Sequence, residues 1–137
     1  RSTLFPYTTL FRSSYIEVPD TYSADQLDQL IRNIQMKVYT EYKVILTAIG
    51  VYSVNTRDED IIEAKKAVSE IVFSHPHVLQ MHGFYMDKEK KTMRFDIVIS
   101  FDAADRKTVY QNIVDSVQKG YPDYQLQVAM DTDFSEE

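Results

Sequence analysis

Val78–Asp102 reads VLQMHGFYMDKEKKTMRFDIVISFD, and this stretch decides the fold. Its second half alternates: Met93, Phe95, Ile97, Ile99 and Phe101 fall on one side, Arg94, Asp96, Val98 and Ser100 on the other. A period of two with one apolar side marks a half-buried antiparallel strand. The first half, Val78–Asp87, has the same apolar character across the charged tip Lys88-Glu89-Lys90-Lys91. The pair therefore reads as a hairpin. If it closes symmetrically, His82 lies opposite Asp96 and Phe84 opposite Arg94, all on the face away from the core. A slip of one residue would turn either side chain over.

Outward from the hairpin, both flanks predict helices. Upstream, Ile61, Val68, Ile71 and Val72 form a stripe that Pro76 ends, and Thr56 with Glu59 has the spacing of a capping box. Downstream, Asp105 opens a helix with Val109, Ile113 and Val117 inward; Gly120 is placed to supply a left-handed cap before Pro122. Gln125–Asp131 alternates again and reads as a closing strand. Further upstream, Lys43–Asn55 is rich in β-branched residues and predicts a long, largely buried strand. Before it, Ser23 and Gln26 form a capping box for a helix with Leu27, Leu30, Ile31, Ile34 and Val38 at helical spacing. The expected class is α+β. After an extra N-terminal helix the order is β-α-β-β-α-β, a ferredoxin-like sandwich whose helices cover one sheet face and leave the other open.

The first residues are of a different kind. Thr3–Ser13, TLFPYTTLFRS, is the translation of an adapter attached to short sequencing reads, so residues 1–13 are expected to be artefact. On this reading the true upstream region is missing. Residues 14–22 read as a linker around Pro19 and Asp20, and residues 23–137 as the ferredoxin-like domain. Setting aside 1–13 removes Arg1 and Arg12 and no acid, which takes the formal charge from −6 to −8. Such acidity disfavours phosphate backbones, so no nucleic-acid partner is expected. The absence of cysteine excludes disulfides and thiolate metal sites.

The sequence offers no catalytic centre. Gly50, Gly83 and Gly120 are too far apart for a phosphate loop, and neither a G-x-S-x-G elbow nor an HExxH pair occurs. An enzyme is not expected. His75 and His77, flanking Pro76, suit a helix end, where positive charge meets the helix dipole. His82 and Asp96 across the hairpin are either a cross-strand hydrogen bond or half of a hard-to-borderline metal site, which a dimer could complete by two-fold symmetry. Asp131 and Asp133 pose the same choice between a ligand and a solvated acidic tail.

In this order, HPHVLQMHGFYMD, KTMRFDIVISFD and DRKTVYQNIVDSVQKGYPDYQLQVAMDTD, with VYSVNT before them, resemble the cytoplasmic C-terminal domain of bacterial cation diffusion facilitator (cation efflux) transporters. The resemblance covers roughly Tyr15–Asp133. It implies a parent with about six membrane-spanning helices that exchanges a divalent cation (zinc, manganese or iron) for protons. It also implies a domain on the cytoplasmic side of the membrane, paired with its copy as a homodimer through the open sheet face, with regulatory metal bound there in some members. By resemblance His82 matches a family histidine and Asp131 a family aspartate. Asp96 and Lys107 stand where histidines are common, and Ala129 replaces another. The implied metal set here is His82, Asp96 and Asp131, with an ion pair or a weak His/Asp site in place of a histidine-rich cluster. The alternative reading is a free-standing ferredoxin-like domain that senses a metal or small molecule.

Overall fold

The computed structural model describes residues 10–131. Among them the order is β1 (Leu10–Pro19), α1 (Ala24–Tyr42), β2 (Val44–Val54), α2 (Glu59–Phe73), β3 (Val78–Asp87), β4 (Thr92–Ile99), α3 (Arg106–Gly120) and β5 (Gln125–Asp131). The fold is α+β, as expected. The β-α-β-β-α-β order is present from β2 onward, but the strands divide into two sheets. β1 pairs with β2, and β3-β4-β5 form the other sheet in that order. The chain falls into two compact units, residues 1–52 and 53–137, a boundary inside the stretch expected to be one domain.

In the first unit, α1 begins where Ser23 accepts a hydrogen bond from Gln26 N at 3.1 Å, while Gln26 Oε1 accepts from Ser23 N at 2.8 Å. The expected capping box is thus complete. The apolar stripe of α1 is half-buried throughout, with no fully buried residue. Two expectations fail here. The linker around Pro19 is instead the end of β1, and residues 10–13 belong to the same strand; residues 1–9 lie outside those described. Extended backbone beside a β-rich neighbour gains a hydrogen-bond ladder that a polar linker would leave to water, and Thr47 Oγ1 adds a bond to Arg12 O at 3.2 Å. Nor is β2 largely buried. Its residues are half-buried or exposed, because its two-stranded sheet offers little apolar surface on either face.

In the second unit, α2 and α3 pack on one face of β3-β4-β5. Met93, Phe95 and Ile97 of β4 are completely buried, together with Val68 and Val72 of α2 and Ile113 and Val117 of α3. The α2 cap moves from Thr56 to Asp58, whose carboxylate accepts from Asp60 N and Ile61 N. Asn55 Oδ1, accepting from Arg57 N and Asp58 N at 3.0 and 2.8 Å, turns the chain before it and sets this later start. Asp105 caps α3, and the Thr108 hydroxyl and amide that donate to it hold its carboxyl below the usual range. At the other end Gly120 is not left-handed. It is the last helical residue, and Tyr121, at φ −134° and ψ 65° before Pro122, is the cap. Gln118 Nε2 satisfies the carbonyls of Tyr121 and Tyr124, both at 2.9 Å.

β4 also ends earlier than its alternation suggests. Ser100 accepts from Asp102 N and Ala103 N and turns the chain. Phe101, expected in the core, is half exposed beneath Arg106, whose guanidinium carbon lies 4.4 Å from the ring centroid.

Candidate metal centre

Three neighbouring strands each contribute one polar side chain to the sheet face away from α2 and α3. β4 sets the frame. Since Phe95 and Ile97 point into the core, Asp96 between them must point out. β5 runs parallel to β4 in unbroken register from Thr92↔Gln125 to Val98↔Asp131. Asp131 therefore shares the face of Val98 and Asp96. On the other side β3 runs antiparallel, with Asp87↔Thr92, Met86↔Met93 and Tyr85↔Arg94 next to the tip.

Continued without a break, that register would set His82 against Ile97, on the core face. It does break. Between Tyr85↔Arg94 and His82↔Asp96, two residues of β3, Gly83 and Phe84, stand opposite one of β4. Gly83 adopts φ 69°, the left-handed conformation that suits glycine at a bulge. The expected His82↔Asp96 pair is therefore present for a reason other than a symmetric hairpin. Phe84 does not lie opposite Arg94, nor on the outer face. It is buried in the core, its ring stacked on Phe95 at 6.4 Å, and Tyr85 takes the place beside Arg94 with a cation–π distance of 5.4 Å.

The three side chains meet closely. His82 Nε2 lies 3.1 Å from Asp131 Oδ2 and 4.0 Å from Asp96 Oδ2, and one ligand atom from each residue lies within 4.8 Å of the others. A cation with bonds of about 2.0–2.2 Å holds its ligands roughly 3 Å apart, so the Asp131 distance already fits and the Asp96 distance needs a small closure. The side chain of His82 is 5% exposed, that of Asp96 17% and that of Asp131 45%. The group is thus buried at the imidazole and open to water at Asp131. Because an ionised carboxylate only accepts, the His82–Asp131 contact places a proton on Nε2. One nitrogen and two carboxylate oxygens suit a hard-to-borderline divalent cation. His82, Asp96 and Asp131 could hold one, whatever its identity.

The other candidates do not gather here. His75 spans two helices, with Nδ1 2.9 Å from Ile71 O and Nε2 3.2 Å from Ser116 Oγ, a bonding role at the end of α2. His77 takes a left-handed turn conformation, and its carbonyl accepts from Ser100 N. Asp133 lies outside the described residues. The sequence reading missed the bulge, whose signal was a lone glycine inside a strand pattern. No helix among the described residues is long and apolar enough to cross a membrane. No protein-family model, curated protein or solved structure matches the chain.

Proposed function

We propose that residues 53–137 form a regulatory divalent-cation-binding domain, and that the chain is the cytoplasmic, dimerising part of a cation efflux transporter. The observation that carries the first half is the convergence of His82, Asp96 and Asp131, one from each strand of a three-stranded sheet. Residues so far apart in sequence share a ligand-sized space only when the sheet is formed, so a cation there couples occupancy to folding. His82 binds through Nε2 by moving its proton to Nδ1, and Asp96 and Asp131 supply the charge. Three ligands leave coordination positions for water or for a second copy of the chain. The second half is supported by the order of sequence motifs that resembles cation diffusion facilitators.

Isothermal titration of the chain with zinc and with manganese tests the site. One saturable event per chain is expected, weakened about 100-fold in His82→Ala. At a hundred times the dissociation constant, the cation should stabilise the domain by about 2.7 kcal/mol. No saturable binding of zinc, manganese or iron would end the reading. Sedimentation should show a dimer. The intact gene should encode membrane spans in the same reading frame, whereas a reading frame with no spans would favour the free-standing sensor.

A further inference from the structure

We propose that Gly83 is the positioning residue of the cation site: its left-handed bulge turns His82 out of the core to face Asp96 and Asp131. The inference rests on the site reading for its importance, but the positioning itself follows from register. Near the tip, Met86 and Phe84 point into the core, and Tyr85 between them is exposed. Strict alternation would carry His82 inward with Met86 and Phe84 and leave Met81 outside. The reverse is seen. Met81 packs against the core, while His82 reaches the two carboxylates.

The inversion occurs at Gly83–Phe84, where two residues face one. Among the described residues, no other irregularity of the β3–β4 or β4–β5 pairing lies between the tip and His82. The β4–β5 pairing is continuous, and the second irregularity of β3, between Val78 and Gln80, lies beyond His82 as counted from the tip. A side chain at φ 69° is disfavoured for any L residue and most of all for a β-branched one. The requirement at position 83 is therefore for a residue that can be left-handed, or for no residue at all. Deleting Gly83 leaves Phe84 opposite Phe95 and His82 opposite Asp96 in a regular strand. A point substitution at this position is thus expected to shift the register and a deletion to preserve it, which a merely space-filling glycine would not produce.

The experiment compares the full chain, Gly83→Val and the Gly83 deletion by NMR, followed by zinc titration of each. Wild type and the deletion should both show a cross-strand contact between residues 82 and 96. Gly83→Val should shift it to 82 and 97 and lower zinc affinity about 10- to 100-fold, the range for lost ligand orientation. If Gly83→Val does not fold, the deletion decides alone: retention of the 82–96 contact supports the proposal, and its loss overturns it. An 82–96 contact retained in folded Gly83→Val also overturns it. If wild type takes up no zinc, the functional reading fails, while the cross-strand contacts still decide the role of Gly83.

Discussion

The two edges of β4 solve the same problem in different ways. Toward β5 the pairing is parallel and unbroken, so the alternation of β4 transfers directly and Asp131 falls beside Val98. Toward β3 it is antiparallel and interrupted, and the interruption reverses which β3 residues face the core. A continuous ladder propagates one pattern. A bulge lets one strand serve two purposes, packing Phe84 and Met86 near the tip and aiming His82 at a polar site further along. The same division runs through β4 itself, with a sealed side of Met93, Phe95 and Ile97 and an outward side carrying Asp96.

The sharpest way to break this arrangement is from the sealed side. Phe95 is completely buried, stacks on Phe84 and sits beside the bulge. Phe95→Ala should cost about 3–5 kcal/mol, read as a lowered urea midpoint, because it removes packing and leaves a cavity. Since the bulge is packed through this ring, cation binding should fall with stability.

The outward side should separate the two properties. His82→Ala should lower cation affinity about 100-fold, equivalent to about 2.7 kcal/mol. Its effect on the metal-free urea midpoint should be smaller, since one hydrogen bond contributes about 1 kcal/mol. Within the site the carboxylates should differ. Asp131 is half open to water and already at bonding distance from His82, whereas Asp96 is mostly buried and further away. Asp131→Asn should weaken binding about tenfold, and Asp96→Asn more, since water can substitute for an exposed ligand more readily than for a buried one. Equal losses in calorimetric titration would mean that burial does not grade the ligands.

Much of this was legible because β4 alternates so cleanly. Phe95 and Ile97 in the core and Asp96 outside follow from period alone, as do Val68, Val72, Ile113 and Val117 on the two helices. What could not be read was anything set by pairing. The sequence predicts His82↔Asp96 through a register that is wrong at Phe84, because the residue count along β3 conceals the extra residue at the Gly83 bulge. Periodicity specifies faces, but it does not specify which strand lies next door. β2 has the composition of an interior strand and pairs only with β1, and Pro19 with Asp20 predicts a linker where the end of β1 lies. Phe101 and Gly120 depart from the pattern for a related reason: a serine turn and a following proline fix the local backbone against it.

The smallest expected effect lies at the hairpin tip, where the two strands of the bulged pair meet. Lys88 Nζ lies 2.8 Å from Asp58 Oδ2 and 3.2 Å from Asp60 Oδ2, tying the tip to the start of α2. The Lys88 hydrogen bond is the main cause holding the Asp58 carboxyl below its ordinary value of 3.8, while the same bond holds the Lys88 ammonium above 10.5. For the lowered Asp58, stability is present above the ordinary carboxylate value and is lost as pH falls through the folded one. For the raised Lys88, it is present below the ordinary ammonium value and is lost as pH rises through the folded one. The tie should therefore act at full strength between about pH 4 and pH 10 and weaken at both extremes. Both groups are exposed and screened by salt, so Lys88→Met should lower the urea midpoint slightly at pH 7 in dilute buffer and by less in high salt. As pH falls through the lowered Asp58 value, the variant and the parent should converge. Because the tip pairs Asp87↔Thr92 ahead of the bulge, loosening it should leave the His82–Asp96 register and cation affinity unchanged. A drop in affinity in Lys88→Met would show that the tip, and not Gly83 alone, sets the register.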